Sequence, residues 1–259
     1  CKDYNVKKIR STPARPDLFN VDEASPLLEN LDKRLLRRGA AKLLYLACLV
    51  RPDILCATIF LTTRVHQSRE EDVRKLYDVL EYLNGTRHLG LCLGAGQDGK
   101  LRLNVYADAA HNAHVDARSQ GGVAMQIGRG TTLAESSRVK GVPISSTESE
   151  LIMAAKGMSF GIRELEFSKC QQILDESDYG TLHEDNTSTI HLIKNGKSNS
   201  KMTRHINLRY FFIKHYLDTG EFEIIHCPTS EQIADILTKP LQGSQFIYLR
   251  DLLLGYKMP

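Results

Sequence analysis

The sequence predicts an α/β protein, a mixed sheet covered by helices and preceded by a small helical unit. Three observations carry this expectation. Apolar residues recur at helical spacing between residues 31 and 85. The pattern breaks at GAGQDGK, residues 94–100, a turn-rich segment. Beyond it, three strand-like segments follow one another, and strands then alternate with helices. The break divides the chain into residues 1–97 and residues 98–259.

Taken in order, the first ~20 residues carry prolines and no periodicity, and are expected to be a loose lead-in. A Leu- and Ala-rich helix spans about Leu31 to Val50. Pro52 in RPDI suits the first helical position, opening a second helix through about Val65. In a third, Ser68 and Glu71 have capping-box spacing, Val73, Leu76, Tyr77, Leu80 and Leu83 mark one face, and Asn84-Gly85 ends it. LRLNVYAD, GGVAMQIG and TTLAESSR read as three successive strands. ISSTESEL opens a helix that reaches toward Cys170, with a break expected in or beyond it. GTLHED is a short strand, and TSTIHLIKN and INLRYFFIKHYLDTG are helices. EFEIIHCP is a strand alternating Phe222, Ile224 and His226. TSEQIADILTK is the final helix, with Thr229 and Gln232 in capping-box spacing.

Bulk properties set limits. With 259 residues, 42% hydrophobic and 25% charged, the chain is long enough for one large or two modest cores. No apolar run approaches the ~20 residues of a membrane span, and the polar, basic start reads against a signal peptide. The first residue is Cys1 rather than Met, so a fragment of a longer polyprotein is expected. The six cysteines are scattered without zinc spacing, as reduced core thiols of an intracellular protein are. Net charge is only +3, but Lys194, Lys197, Lys201, Arg204, Arg209 and Lys214 crowd one stretch that holds no acid. Such a run is commonly a solvated face. It gains meaning only beside a site for an anionic substrate.

Four carboxylates stand where chemistry gathers in α/β sheets, at strand ends and on the helices beside them. Asp108 closes the first strand of the second half, Glu150 lies in the first turns of the next helix, Asp185 ends the fourth strand, and Asp235 sits in the last helix. Singly, each has a bland reading: Asp108 as a turn residue, Asp185 as a helix cap, Asp235 as a surface position. Together, acids flanked by apolar residues call for a positive partner, and a hard divalent cation such as Mg2+ is the natural one. Two such ions ~4 Å apart can activate a water and stabilise the leaving oxygen of a phosphodiester.

Several blocks in order resemble the C-terminal part of copia-type retrotransposon polyproteins, the end of the reverse transcriptase followed by its ribonuclease H domain. They are LLYLACLVRPDILCA, DVLEYLNGTRHLGL, YADAA, SSTESEL, EDNTSTI, TRHINLRYFFI and IADILTKPL. The resemblance covers nearly the whole chain. It implies a ribonuclease H-like mixed five-stranded sheet flanked by helices, after a thumb- or connection-like helical unit. It places metal-binding, catalytic acids on Asp108, Glu150, Asp185 and Asp235. The implied reaction is hydrolysis of the RNA strand of an RNA–DNA hybrid with two Mg2+ ions, Mn2+ being an acceptable substitute. The products are a 3′-hydroxyl and a 5′-phosphate. It further implies that Lys194, Lys197, Lys201, Arg204, His205 and Arg209 bind the hybrid, with a packing or capping role for His205 equally open. The upstream polymerase part is the implied protein partner, and a cytoplasmic particle or the nucleus the implied location. The polymerase motif Tyr-x-Asp-Asp is absent from this chain, so DNA synthesis is not expected of it alone.

Three departures stand against the family pattern. The short CPTSEQIAD has no His before the last Asp, His111-Asn112 replaces an aromatic after the first Asp, and SRVKGVPI replaces a KKQ-type segment before SSTE. They leave open a second reading, an inactive remnant that only binds nucleic acid or supports a larger polymerase. An integrase-type arrangement is disfavoured, because its glutamate comes last in chain order. A serine hydrolase lacks its G-x-S-x-G elbow.

One ambiguity sits inside ISSTESEL. Ser145 with Glu148, and Thr147 with Glu150, share capping-box spacing. Two helical positions differ by ~200°, so the two glutamates cannot both serve one metal site. Spacing leaves the choice open; the resemblance puts the metal on Glu150 and the helix start on Glu148.

Overall fold

The computed structural model describes residues 4–195 and 204–258. Helices α1 (Asn30–Leu49), α2 (Leu55–Arg64) and α3 (Glu70–Gly85) form the first unit, with a 3-10 turn at Pro52–Ile54 before α2. Strands β1 (Leu103–Ala110), β2 (Gln120–Ile127) and β3 (Thr131–Arg138) follow, then α4 (Ser146–Cys170), β4 (Gly180–Glu184), α5 (Thr187–Asn195), α6 (Arg204–Asp218) and β5 (Phe222–His226). Two helices close the chain, α7 (Asp235–Thr238) and α8 (Gly243–Leu253).

The five strands form one sheet of order β3-β2-β1-β4-β5. β1, β2 and β3 are antiparallel neighbours, whereas β4 runs parallel to β1 and β5 parallel to β4. This is the mixed ribonuclease H-like sheet that the resemblance implies. The parallel pairs require helical crossovers, and α4 and the α5–α6 pair supply them. Helices therefore cover both faces, which explains why β1 is buried almost throughout.

The alternation of β1 distributes two cores. Leu103, Val105, Ala107 and Ala109 point toward α4, into a cluster with its Leu151, Ala154, Met158 and Ile162 and with Ile213 of α6. Tyr106 points the other way, into a cluster holding Leu36 and Leu43 of α1, Phe60 of α2, Leu76 and Val79 of α3, and Ile236, Leu237 and Phe246 near the C-terminus. The helical unit thus shares its apolar interior with one face of the sheet. A boundary at residue 97 remains our proposal for the division into units.

Two sequence blocks distant in the chain meet in one buried polar network. The Arg51 guanidinium donates to both carboxylate oxygens of Asp53 at 2.9 and 2.8 Å, and to the Thr86 carbonyl and hydroxyl at 3.0 and 2.8 Å. The Tyr82 hydroxyl donates to Asp53 at 2.5 Å. RPDI and YLNGT are therefore two halves of one staple between α1–α2 and the end of α3. Every member is buried, so each polar atom needs its partner.

The structure corrects several expectations. The lead-in is anchored: Arg15 makes a bidentate contact with Asp78 at 2.9 and 3.1 Å, Arg10 reaches the same carboxylate at 3.2 Å, and Ala14, Leu18 and Phe19 join the core. The cap of α3 lies one residue later than its spacing suggests. Asp72, rather than Glu71, accepts from the Arg69 amide at 2.8 Å, while Glu71 accepts from Asp22. No break interrupts the 25 residues of α4. The final segment is not one helix. A 3-10 turn at Thr229–Glu231 leads through an extended Gln232 to the single turn of α7, because the Gln232 side chain donates to strand carbonyls instead of capping. Helix α8 (GSQFIYLRDLL) was not expected, yet it buries Phe246, Leu249, Leu252 and Leu253. Of the cysteines, Cys56 and Cys227 are buried, whereas Cys48 and Cys170 are exposed. Among the described residues, no helix is long and apolar enough to cross a membrane.

Candidate metal centre

Parallel pairing of β1 with β4 sets Tyr106 opposite His183. Two residues further on, Asp108 and Asp185 therefore leave the sheet at the same end. Helix α4 starts beside that end. Its N-cap Ser145 accepts from the Glu148 amide at 3.1 Å, and the Glu148 carboxylate accepts from the Ile144 amide at 2.9 Å. Two residues on, just over half a helical turn, Glu150 faces the sheet and accepts from the Ala109 amide at 3.0 Å. The two glutamates point apart, one to the helix start and one to the strand.

Asp108, Glu150 and Asp185 converge, each offering one carboxylate oxygen, and these oxygens lie within 4.8 Å of one another. Asp108 and Glu150 are buried, and Asp185 is half-buried. Neighbours orient each acid. Thr238 donates its hydroxyl to Asp108, the Ala109 amide donates to Glu150, and the Thr229 hydroxyl donates to Asp185 at 2.9 Å. An all-carboxylate oxygen set in so small a space suits a hard divalent cation.

Asp235 stands beside this group rather than within it. It opens α7 and pairs at 2.7 Å with Lys239, four residues on, whose ammonium also reaches Asp108 at 3.5 Å. Gly122 brings α7 this close. It lies opposite Asp108 on β2, and a Cβ there would stand 2.8 Å from Leu237 Cβ and 2.9 Å from the Ala234 carbonyl oxygen. Side chains of α7, Leu237 and Thr238, and the carbonyl of its N-cap Ala234 occupy the space a side chain would need.

The electrostatics are those of crowded, buried anions. Burial, reinforced by the charges of Asp108, Glu184 and Asp185, pushes the Glu150 carboxyl up to about 10. Burial and the Asp108 charge raise Asp235 to about 7 against the opposing pull of Lys239. Burial alone would lower the Lys239 ammonium, but Asp108 and Asp235 outweigh it and hold it above the usual lysine range.

Two participants escaped the sequence reading. Glu184 is fully buried, its Oε1 accepts from the Asn186 amide at 3.1 Å, and its Oε2 has no partner. Burial holds its carboxyl well above the usual range. Lys239 is the other; it lies inside the IADILTKPL block at i, i+4 from Asp235, and neither signal marks it as a site residue. Asp185 does not cap α5; Asn186 does, accepting from Ser188 at 3.0 Å and Thr189 at 3.2 Å.

The predicted basic surface is only partly in view. Lys197 and Lys201 lie outside the described residues, as do the side chains of Arg204 and His205, whose backbone opens α6. Lys194 is exposed in the last turn of α5, roughly 10 Å along the helix from the end beside Asp185 at 1.5 Å per residue. Arg209 is half-buried. Lys194 therefore stands at the far end of α5 from the acids.

No protein-family model matches the chain. It is 31% identical over 214 residues to the retrovirus-related Pol polyprotein from transposon RE1 of Arabidopsis thaliana, covering 81% of this chain and 14% of that protein. The corresponding polyprotein from transposon TNT 1-94 of Nicotiana tabacum is 29% identical over 225 residues, covering 86% of this chain and 16% of the relative. The chain belongs to the retrovirus-related Pol polyproteins of copia-type transposons. It spans about one seventh of the length of the Pol polyproteins it matches. Among solved structures, the N-terminal RNase H domain of a Mycobacterium tuberculosis protein overlaps 54% of this Pol chain and 91% of its own, at 8% identity and a TM-score of 0.40. Strand order and direction, rather than that overlap, carry the ribonuclease H-like assignment of this Pol segment.

Proposed function

We propose that this Pol segment is a ribonuclease H that cleaves the RNA strand of RNA–DNA hybrids internally, using two Mg2+ ions, with Mn2+ as a substitute. The observation that carries the reading is the convergence of Asp108, Glu150 and Asp185 at one end of the central strands. Asp108, Glu150, Asp185 and Asp235 are the residues that would hold the cations. Bound there, the cations would lower the pKa of an attacking water and stabilise the leaving oxygen of the phosphodiester.

The protein's own part is orientation. Thr238, the Ala109 amide and Thr229 each take one carboxylate and fix its rotamer, so the acids need little rearrangement on binding. Gly122 lets α7 approach and keeps Asp235 near Asp108. The basic stretch from Lys194 to Lys214 binds hybrid phosphates in this reading, and the upstream polymerase part supplies the remaining grip.

The test uses the purified chain, an end-labelled RNA–DNA hybrid and Mg2+. Wild type should cut the RNA internally, leaving 3′-hydroxyl and 5′-phosphate ends, and Asp185→Asn should abolish the cut. Equal cleavage by both proteins would refute the assignment. Salt-dependent hybrid binding with no turnover and no metal uptake would instead establish the inactive remnant.

A further inference from the structure

The loop after β1 departs from the family pattern at His111-Asn112, and the fold gives that departure a place beside the acids. β1 ends at Ala110, and Asn112 takes a left-handed backbone with φ of 55°, so the chain turns at His111. Two contacts tie this corner to the metal centre. The Ala109 amide, two residues before His111, donates to Glu150 at 3.0 Å. The His111 ring meets Ser149, the residue before Glu150, through Nδ1 at 3.1 Å. Asp108 lies three residues back, so its Cα is at most roughly 11 Å from that of His111 at ~3.6 Å per residue.

The hydroxyls that hold the ring decide what it can offer. Ser119 and Ser149 are both fully buried, and their oxygens stand 3.0 Å apart. The Ser149 hydroxyl donates to the Ser145 carbonyl at 3.2 Å, which uses its one proton. Ser149 Oγ can then only accept from His111, so Nδ1 carries the ring proton and Nε2 keeps a lone pair. Ser119 completes the set. It donates to Ser149, accepts from the Asn112 amide at 3.4 Å, and stands 3.5 Å from Nδ1. His111 itself is exposed, and among the described residues its Nε2 has no hydrogen-bond partner.

We propose that His111 binds the RNA strand beside the cut by accepting a hydrogen bond at Nε2 from a ribose 2′-hydroxyl. An acceptor that faces solvent has few partners on a nucleic-acid backbone. Phosphate and sugar-ring oxygens only accept, and within a strand the 2′-hydroxyl alone donates, so the contact selects RNA over DNA. The buried serines fix the ring before the hybrid arrives, so little ordering is lost on binding. This inference rests on the nuclease reading above and names a side chain that distinguishes the strand to be cut.

The experiment pairs the whole chain and its variants with a set of end-labelled RNA–DNA hybrids in Mg2+. Each hybrid is built around one mapped cut and carries one 2′-deoxynucleotide at a different place in the RNA strand. At one position near the cut, the substitution should lower wild-type kcat/KM about fivefold, mainly through KM, as loss of one neutral hydrogen bond does. His111→Asn keeps a donor where Nδ1 stands and removes Nε2. It should lose about fivefold on the all-ribose hybrid and nothing further at that position. His111→Gln, whose amide oxygen can take the place of Nε2, should regain the sensitivity. His111→Phe carries the same expectation as His111→Asn and serves if that variant does not fold. A loss in His111→Asn that no 2′-deoxy position cancels would mean a phosphate contact and overturn the inference. So would a His111→Asn protein that cuts every hybrid as wild type does, and either result leaves the nuclease standing. No cleavage by wild type would overturn both.

Discussion

Replacing Glu150 by glutamine gives the sharpest view of the acid cluster, because it should stabilise the metal-free protein while destroying its proposed activity. Glu150 is almost fully buried, and burial among Asp108, Glu184 and Asp185 raises its carboxyl from 4.5 to about 10. The sign follows from linkage. A carboxyl raised on folding binds its proton more tightly in the native state. Its contribution is complete below pH 4.5 and declines as pH rises toward 10. At about 1.4 kcal/mol per pH unit, the 2.5 units between 4.5 and 7 amount to about 3 kcal/mol lost at neutral pH. Glutamine does not titrate, keeps an oxygen for the Ala109 amide, and presents N–H donors to the neighbouring carboxylates. In EDTA, Glu150→Gln should therefore match wild type near pH 4 and melt on the order of 10 °C higher at pH 7, at a few degrees per kcal/mol. Mg2+ should close the gap by stabilising wild type, by about 2.7 kcal/mol at a hundredfold excess over Kd. Thermal melts between pH 4 and 8, with and without Mg2+, test this. A Glu150→Gln protein no more stable than wild type at pH 7 in EDTA, or a gap that does not widen with pH, would refute the reasoning.

Two further variants probe other links. Glu148→Ala removes the acceptor for the Ile144 amide at the start of α4 and should cost about 1 kcal/mol in urea unfolding, with Mn2+ binding intact; loss of the metal site in this variant would reverse the roles of the two glutamates. Arg51→Met leaves Asp53 charged in a closed interior and should cost about 3–5 kcal/mol, measured by urea denaturation. Replacing Asp53 by Leu in the same chain should recover part of that loss, since no unpaired charge then remains.

Much of the protein was legible from local patterns. Alternation located β1, β2 and β3, helical spacing located α1 to α3, and Ser145 with Glu148 marked the start of α4. These signals are local because backbone hydrogen bonding and side-chain period depend on neighbours a few residues away. The four acids were legible as residues at the ends of elements, and the matched blocks placed them in a known order.

Other features depended on contacts across the fold. The capping spacing of Thr229 and Gln232 suggested one helix, but their side chains bond to Asp185 and to the carbonyls of Ala107 and His183, which no local signal registers. Helix α8 was missed because its periodicity followed Pro240 and no cap announced it, although the core closes over Phe246 and Leu249. The lead-in reads as loose until Asp78, on α3, collects Arg10 and Arg15.

The division of labour has one physical cause. A sequence states which groups are present and what each turn of backbone prefers, so it determined most of the elements, the identity of the candidate acids and the family resemblance. Which acids converge, which of them Lys239 meets, and which carboxyls burial raises depend on distances between residues up to 131 positions apart, as Asp108 and Lys239 are. Coulomb energy and desolvation depend on those distances and on the water excluded between them, and only the packed fold sets both.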